Sequence, residues 1–427
     1  MKEIELIGLG EKIFLHESKC GLKTYMWVNE KVSGAFMTIS VKYGSLHTEF
    51  KVNDESYKVP NGLAHFLEHI KFNVGPNLTA HEVFLKLGSE TNAFTTFKYT
   101  NYLVYSDKLI IESLKELMNF VYKSYFTKQL ITKEKGIIVG EANMGIDDPL
   151  YMAQYGIFNQ LFHTSKYKYF ITGHPDEIKK ISVKDVNDVF DAFYQPKNSF
   201  LCLTGNFNPY EMVKTIDEFM DKKEFKKFVE PKIINEKEDK TVVKKYGEME
   251  AKITNAKIKY ALKIARNKFK NVSDLELRIY LSLLLTINFG NTSEFKDELV
   301  NKEIITDLYA SSDILDDYVV LIFTVDTPYF EEVIKLLDEK LDNLDVDDKT
   351  FNRKIKANIA TLILQFEDIE VVNNKISNDL VTYGRIVDNI KEIYENLNID
   401  TMNNVLKEIT KEYKSVLVLK PKKDPEN

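Results

Sequence analysis

The order of predicted strands and helices occurs twice along this chain, and that repetition limits the folds available to it. Each half contains, in order, a strand, a helix, a strand pair and two further helices. In the first half these are predicted over 34–43, 62–71, 91–106, 109–125 and 132–144, and in the second over 252–263, 274–289, 304–326, 330–344 and 348–367. Helices grouped between runs of adjacent strands favour layered α+β domains over a parallel βαβ array. We therefore predict two similar tandem α+β domains, each a mainly antiparallel sheet packed with helices.

Composition indicates where the two predicted domains divide. From 221 to 250 lysine and glutamate dominate and large apolar residues are few, which is typical of a solvated linker. We predict a first domain over 1–220, a charged linker over 221–250 and a second, degenerate repeat over 251–427. The 44% hydrophobic content is that of an ordinary globular protein.

Charge and cysteine content exclude several classes of protein. A net charge of −7 argues against a nucleic-acid surface, which needs a clustered basic face. The longest apolar runs, such as 280–289, are too short to span a bilayer, and the first residues are acidic where a signal peptide is basic. Two distant cysteines, Cys20 and Cys202, fit a reducing compartment. We expect a cytoplasmic protein that binds neither nucleic acid nor membrane.

The predicted helix over 62–71 carries two histidines and a glutamate in the order His65-x-x-Glu68-His69. With 3.6 residues per turn, His65 and His69 lie about 40° apart, and Glu68 lies about 60° to the other side of His65. All three side chains therefore share one face. Two imidazoles at this spacing can bind one Zn²⁺, with Glu68 placed as general base for a water whose pKa zinc lowers to about 7. This is the inverted order of the inverzincins.

A later predicted helix supplies two carboxylates, Glu134 and Glu141, which share one face because they are seven residues apart. Glu141 is the natural third ligand, since zinc accepts a carboxylate in His₂Glu sites. Glu134 would then support the site from two turns away. The alternative is that both glutamates are solvated, although the apolar run 136–140 between them indicates a partly buried helix.

The strand pair that follows the histidine helix permits two interpretations. Its first strand contains Asn92, Ala93, Phe94 and Thr95. Aromatic and threonine-rich strands are common in plain sheet core. Alternatively, this strand is a sheet edge on which an extended peptide pairs as an added strand.

In these residues the chain resembles the pitrilysin or insulinase family of zinc peptidases, which includes the mitochondrial processing peptidase β subunit. The matching segments are His65-Phe66-Leu67-Glu68-His69, Gly88 with Asn92-Ala93-Phe94-Thr95, Glu134 with Glu141, and Pro196 with Asn198 to Gly205-Asn206. More narrowly, the chain is similar to bacterial single-length members that work as pairs of unequal subunits, in Glu134-Lys135-Gly136-Ile137-Ile138 with Glu141 and the later Asp147-Asp148-Pro149.

The resemblance implies one zinc ion per chain on His65, His69 and Glu141, with Glu68 as base and Glu134 as a supporting carboxylate. It also implies peptide substrates that are short or unfolded. Such substrates would pair with the strand from Asn92 to Thr95.

The second half departs from the family pattern at one position. The resemblance implies an Arg and a Tyr seven residues apart that hold the substrate carbonyl; family members that cut alone carry this pair themselves, and for those that do not cut alone the partner subunit carries it. This chain has Tyr309, but Lys302 stands where the Arg would be, and lysine lacks the planar guanidinium fork. The alternative for these two residues is a solvated Lys302 and a Tyr309 in the strand core.

We therefore expect a zinc-dependent endopeptidase subunit that pairs with a second, similar chain supplying the Arg and Tyr. A homodimer in which Lys302 and Tyr309 serve is a second possibility. The alternative from another class is a non-catalytic scaffold or peptide-binding subunit of the same fold.

Overall fold

The computed structural model describes residues 1–422 and divides into two compact units. The first unit comprises Met1–Asn143, Phe170–Asn235 and Thr361–Glu392, and the second comprises Met144–Tyr169, Glu236–Ala360 and the described residues 393–422. No helix within residues 1–422 has the length and hydrophobicity that a bilayer crossing needs.

The strands fall mainly in two groups, one in each half of the chain. They are β1 (Lys2–Leu6), β2 (Glu11–Glu17), β3 (Lys23–Val28), β4 (Ala35–Val41), β5 (Glu49–Val52), β6 (Glu55–Lys58), β7 (Asn73–Gly75), β8 (Leu78–Thr79), β9 (Glu90–Thr95), β10 (Thr100–Ser106), β11 (Ser199–Gly205), β12 (Lys232–Ile233), β13 (Tyr246–Ala251), β14 (Ala256–Ala265), β15 (Asp307–Leu315), β16 (Tyr318–Thr327) and β17 (Lys414–Pro421).

The helices lie between and after these strands. They are α1 (Leu63–Lys71), α2 (Ala80–Lys86), α3 (Ile110–Tyr122), α4 (Lys128–Asp147), α5 (Pro149–Leu161), α6 (Pro175–Ile178), α7 (Val183–Phe193), α8 (Pro209–Met220), α9 (Asp274–Phe289), α10 (Glu294–Asn301), α11 (Phe330–Asp342), α12 (Asp348–Leu364), α13 (Ile369–Tyr383), α14 (Ile390–Asn396) and α15 (Ile399–Glu408).

The two main sheets share one strand topology. The first has the order β1-β2-β3-β11-β4-β10-β9, and the second has the order β13-β17-β14-β16-β15. In each sheet one pair is parallel, β3 with β11 and β13 with β17, and the remaining pairs are antiparallel. Five strands of the first sheet, in the order β3-β11-β4-β10-β9, therefore correspond one to one with β13-β17-β14-β16-β15 of the second sheet. The predicted α+β class with two similar, mainly antiparallel halves is confirmed.

Each unit receives one helix from the other half of the chain. Helix α13 packs on β4 and β11 of the first sheet, where Thr38 Oγ1 donates to Asn373 Oδ1 at 2.7 Å. Helix α5 packs on β14 and β17 of the second sheet, where Ser415 Oγ donates to Gln160 Oε1 at 2.9 Å. Continuous domains were predicted, and no periodicity in the sequence indicates this exchange. The predicted boundaries near 220 and 250 stay a prediction.

The lysine- and glutamate-rich stretch over 221–250 is more ordered than its composition suggests. It contains β12, which pairs with β5, and most of β13, which pairs with β17. Glu238 is only 8% exposed and forms an ion pair with Lys263 at 2.7 Å. Burial alone would raise the pKa of Glu238, but this pair and backbone N–H donors of residues 163–165 lower it to about 2. The stretch is therefore not a solvated linker throughout.

Two glycines fix the position at which helix α1 begins. Gly62 has a φ of 89° and Gly173 a φ of 81°, a region that favours glycine. A Cβ on Gly62 would lie 2.6 Å from the carbonyl oxygen of Thr172, and a Cβ on Gly173 would lie 2.6 Å from that of Asn61. The two backbones are therefore in direct contact, and a side chain at either position would push α1 away from the loop before α6.

The other end of α1 is fixed by a buried lysine. Lys71 is almost fully buried, and its ammonium donates to the carbonyl oxygen of Lys123. Its Nζ lies 4.8 Å from the centroid of the Phe190 ring and 5.9 Å from that of Phe126, so the rings contribute cation–π attraction. Burial lowers the pKa of Lys71 well below its ordinary value.

We predict that Gly173→Ala lowers the free energy of unfolding by about 2–4 kcal/mol, because it adds both backbone strain and a clash with Asn61. The matched control is Gly136→Ala on α4, where an added Cβ meets nothing within 4 Å. That change should raise stability by up to about 1 kcal/mol, since alanine is the better helix former. Urea unfolding measures both, and equal midpoints for the two variants would contradict the proposed contact.

Candidate metal centre

Helix α1 buries His65 and Glu68 in an apolar shell and leaves His69 half-buried. Its other side chains, with almost no exposure, are Leu63, Ala64, Phe66, Leu67 and Ile70. His65 is 9% exposed and Glu68 is 6% exposed. Burial, the larger cause, and the nearby His69, the smaller one, lower the pKa of His65 to about 3. The ring is therefore neutral at pH 7. A neutral imidazole is the form that binds a metal. The predicted helix over 62–71 is confirmed.

Helix α4 brings two carboxylates to the same place. It runs from Lys128 to Asp147 and is longer than the sequence predicted. Glu134 is 7% exposed and Glu141 is half-buried. The alternative in which both glutamates are solvated is therefore wrong.

His65, His69 and Glu141 form a group whose ligand atoms all lie within 4.8 Å of one another. Glu141 Oε1 lies 3.5 Å from His65 Nε2, and Glu141 Oε2 lies 3.4 Å from His69 Nε2. These separations are long for hydrogen bonds. They match the spacing of about 3.3–3.5 Å between two ligands that each lie about 2.0–2.2 Å from a tetrahedral ion. The donor set therefore fits zinc.

The charge of the site also favours a cation. Glu68, Glu134 and Glu141 face two imidazoles, and the ion pairs within residues 1–422 include none between these carboxylates and a lysine or arginine. Burial raises the pKa of Glu68, and the charge of Glu141 adds to that effect, while Thr95 and His69 oppose it. Buried carboxylates without a compensating charge are costly, and a divalent ion would offset that cost.

Glu134 lies against one histidine. Its Oε1 is 3.4 Å from His69 Nδ1, the ring nitrogen opposite the one that faces Glu141. Burial lowers the pKa of His69, but Glu134, Glu68 and Glu141 outweigh it and raise the pKa. Glu134 is thus placed to orient His69, in keeping with the predicted supporting role. His65 has no such support: among the described residues, its Nδ1 is buried without a hydrogen-bond partner.

Thr95 contacts the candidate base directly. Its Oγ1 donates to Glu68 Oε2 at 2.6 Å. The sequence analysis placed Thr95 with substrate and missed this contact. The two residues are 27 apart, so no helical or strand spacing indicates it; only the packing of β9 beside α1 does.

Strand β9 is an edge of the first sheet, since its one neighbour in the sheet order is β10. None of its residues is buried: Asn92 and Phe94 are exposed, and Ala93 and Thr95 are half-buried. The alternative of plain sheet core is therefore wrong for this strand. Pairing of a peptide with Asn92 to Thr95 stays a prediction.

Lys302 and Tyr309 belong to the second unit. Lys302 follows α10, is exposed, and forms an ion pair with Glu298 one turn earlier. Tyr309 lies in β15 and is 66% exposed, so the alternative that it is strand core is wrong. Their role toward substrate stays a prediction.

The fold and the order His65-x-x-Glu68-His69 are those of the inverted-motif zinc peptidase class. The family model "Insulinase (Peptidase family M16)" matches residues 30–155, and the model "Peptidase M16 inactive domain" matches residues 180–358. The chain belongs to this pitrilysin/insulinase family.

Individual relatives agree with that assignment. The uncharacterised zinc protease YmfH of Bacillus subtilis (strain 168) is 29% identical over 313 residues, which cover 73% of each chain. The structure of an M16-like peptidase from Alicyclobacillus acidocaldarius matches with a TM-score of 0.91 at 20% identity, over 98% of this chain and 100% of that one. A protease from Helicobacter pylori matches with a TM-score of 0.81 at 19% identity, over 96% of this chain and 100% of that one. Because the two structures are only 19% and 20% identical to this chain, they establish its fold alone.

We predict that His69→Ala lowers zinc affinity by more than about 100-fold, because it removes a ligand. Glu134→Gln should cost less, about 10- to 100-fold, because that residue supports a ligand. His81→Ala is the matched control: His81 stacks on Phe72 with ring centroids 4.6 Å apart and takes no part in the ligand group. Elemental analysis and competition with a chromophoric chelator measure the affinities. Equal affinities for the His69 and His81 variants would overturn the ligand assignment.

Proposed function

We propose that this protein is a zinc-dependent endopeptidase, or the zinc-bearing subunit of one, that hydrolyses short or unfolded peptides. The observation that carries the proposal is the group of His65, His69 and Glu141 with Glu68 beside it on the same buried helix. The name of the relative YmfH, a zinc protease, supports it.

The residues of the site have distinct tasks in this proposal. His65, His69 and Glu141 would hold one zinc ion per chain. When bound, that ion would act as a Lewis acid toward water and toward the substrate carbonyl.

Glu68 would accept the proton of the attacking water as the water oxygen bonds to the carbonyl carbon. The same carboxyl group would then give that proton to the amine nitrogen as the C–N bond breaks, so the proton is conserved. The raised pKa of Glu68 makes its carboxylate a stronger base than an exposed glutamate.

The edge strand β9 would hold the substrate. An extended peptide added to a sheet edge is bound mainly through its main chain, so many sequences are accepted. A folded protein does not offer a free extended segment, and the substrates would therefore be short or unfolded peptides.

We predict that Glu68→Gln retains zinc but lowers kcat for peptide cleavage by about 100- to 10,000-fold, because glutamine keeps the shape and cannot accept the proton. Glu82→Gln on α2 is the control, since that carboxylate caps a helix N-terminus and lies outside the ligand group. Cleavage of fluorogenic peptides and zinc content are measured together. Cleavage that is indifferent to Glu68 would refute the mechanism.

We further propose that full activity needs a second, similar chain that supplies the Arg and Tyr absent as a pair here. Lys302 supports this, because its ammonium is already paired with Glu298 and lysine cannot form a bidentate contact with a carbonyl. A homodimer that uses Lys302 and Tyr309 is the competing arrangement.

We also propose a cytoplasmic location. Cys20 and Cys202 are both free thiols, which supports it.

We predict that Lys302→Ala changes the kcat/KM of the isolated chain by less than about twofold, as expected for an exposed ion pair without a catalytic role. Lys184→Ala, which breaks a comparable pair with Asp188 four residues later, is the control. A loss confined to the Lys302 variant would instead favour the self-sufficient homodimer.

The second candidate function is a non-catalytic scaffold or peptide-binding subunit. The match of residues 180–358 to a domain described as inactive leaves room for it, although His65, His69 and Glu141 lie outside that match. Under this alternative Glu68→Gln would leave every function of the protein unchanged, and no partner chain would elicit cleavage.

A further inference from the structure

We propose that Thr95 is a positioning residue: its hydroxyl holds the Glu68 carboxylate in its working orientation and ties the base to the edge strand β9. The inference rests on the proposed function, because it assigns Thr95 a task in that same reaction. It differs from the substrate contact that the sequence predicted for this residue.

The contact leaves the two carboxylate oxygens of Glu68 in different states. Thr95 Oγ1 donates to Oε2 at 2.6 Å, the short distance typical of a hydroxyl bound to a carboxylate. No hydrogen bond from a described residue reaches Oε1. One oxygen is therefore held and the other is free to receive a proton.

The Thr95 hydroxyl has two possible acceptors, and the distances favour Glu68. Thr95 Oγ1 also lies 3.4 Å from Thr100 Oγ1, but the Thr100 hydroxyl donates to the carbonyl oxygen of Tyr43 at 2.9 Å. Each hydroxyl has one proton to donate. The Thr100 oxygen could therefore only accept from Thr95, but the contact with the Glu68 carboxylate is 0.8 Å shorter and charge-assisted, so the Thr95 proton goes to Glu68.

Both partners in this contact are attached to rigid elements. Thr95 pairs in register with Thr100 of β10, which is fully buried, and its β-branched side chain has few rotamers. Glu68 projects from α1, which is buried along its length. A glutamate side chain has several rotatable bonds, and one hydrogen bond between fixed elements removes much of that freedom.

The position of Thr95 on β9 adds a connection to substrate. A peptide that pairs with the free edge of β9 would order the strand that carries Thr95. We therefore expect substrate pairing and orientation of the base to be coupled through this one side chain.

Thr91 provides a matched control on the same strand. It lies four residues earlier, on the same face of β9, and is also half-buried. Its hydroxyl donates to the carbonyl oxygen of Leu103 at 3.0 Å and does not contact Glu68. Thr91→Val and Thr95→Val thus remove one hydroxyl each from the same strand, and only Thr95→Val removes a contact with the base.

The kinetic test compares Thr95→Val, Thr95→Ser and Thr91→Val in the zinc-loaded protein with its partner chain where one is required. We expect Thr95→Val to lower kcat by about 10- to 100-fold, because the base loses the hydrogen bond that positions it. KM should change less than about threefold, because the variant leaves substrate binding intact. Thr95→Ser should restore kcat to within about threefold of wild type. Equal losses for the two valine variants, or no rescue by serine, would overturn the proposal.

The structural test uses crystal structures of the metal-free variants and needs no activity. We expect the Glu68 carboxylate to leave its position in Thr95→Val and to keep it in Thr95→Ser and Thr91→Val. An unmoved carboxylate in Thr95→Val would overturn the positioning role.

The two tests separate this inference from the proposed function. If wild type binds zinc and cleaves no peptide, the peptidase proposal fails, while the position of Glu68 in the crystals still decides the role of Thr95. If wild type cleaves and Thr95→Val keeps its kcat, the positioning role fails and the peptidase proposal stands.

Discussion

An ionised side chain loses several kcal/mol of hydration when it is buried, and helix α1 buries titratable groups along with its apolar ones. The same burial has two useful effects. It keeps His65 neutral at pH 7, which leaves the ring nitrogen free to bind a metal, and it raises the pKa of Glu68. The carboxylates that remain repel one another, and a bound divalent cation would offset that repulsion. The chemistry of the site therefore depends first on exclusion of water from α1.

Exclusion of water depends in turn on how α1 is held. Gly62 and Gly173 bring two backbones into contact at its start, and the ammonium of Lys71 packs among aromatic rings at its end. The edge strand β9 closes one side through Thr95. A helix fixed at both ends and on one flank presents its side chains in one arrangement, which is what preorganised catalysis requires.

Much of this could be predicted from the sequence, because helices and strands leave periodic traces. The spacing of His65, Glu68 and His69 predicted a shared face, and the repeated order of elements predicted two similar sheets. Other features have no local trace. The contact of Thr95 with Glu68, the exchange of α5 and α13, and the buried pair of Glu238 with Lys263 join distant residues. The charged composition of 221–250 was misleading for the same reason, since a partner elsewhere decides whether a carboxylate is buried.

The exchange of helices has a consequence for how the protein is made. The first sheet is complete once β11 has been synthesised, yet the helix that covers β4 and β11 follows more than 160 residues later, with Asn373 and Thr38 separated by 335 positions. At synthesis rates of about 5–20 residues per second, that face of the sheet stays uncovered for roughly ten seconds or more on the ribosome. During that interval Thr38 and its neighbours lack their partners, and exposed sheet surface is prone to aggregate. Chaperone binding during synthesis would therefore matter more for this chain than for one whose domains close in sequence order.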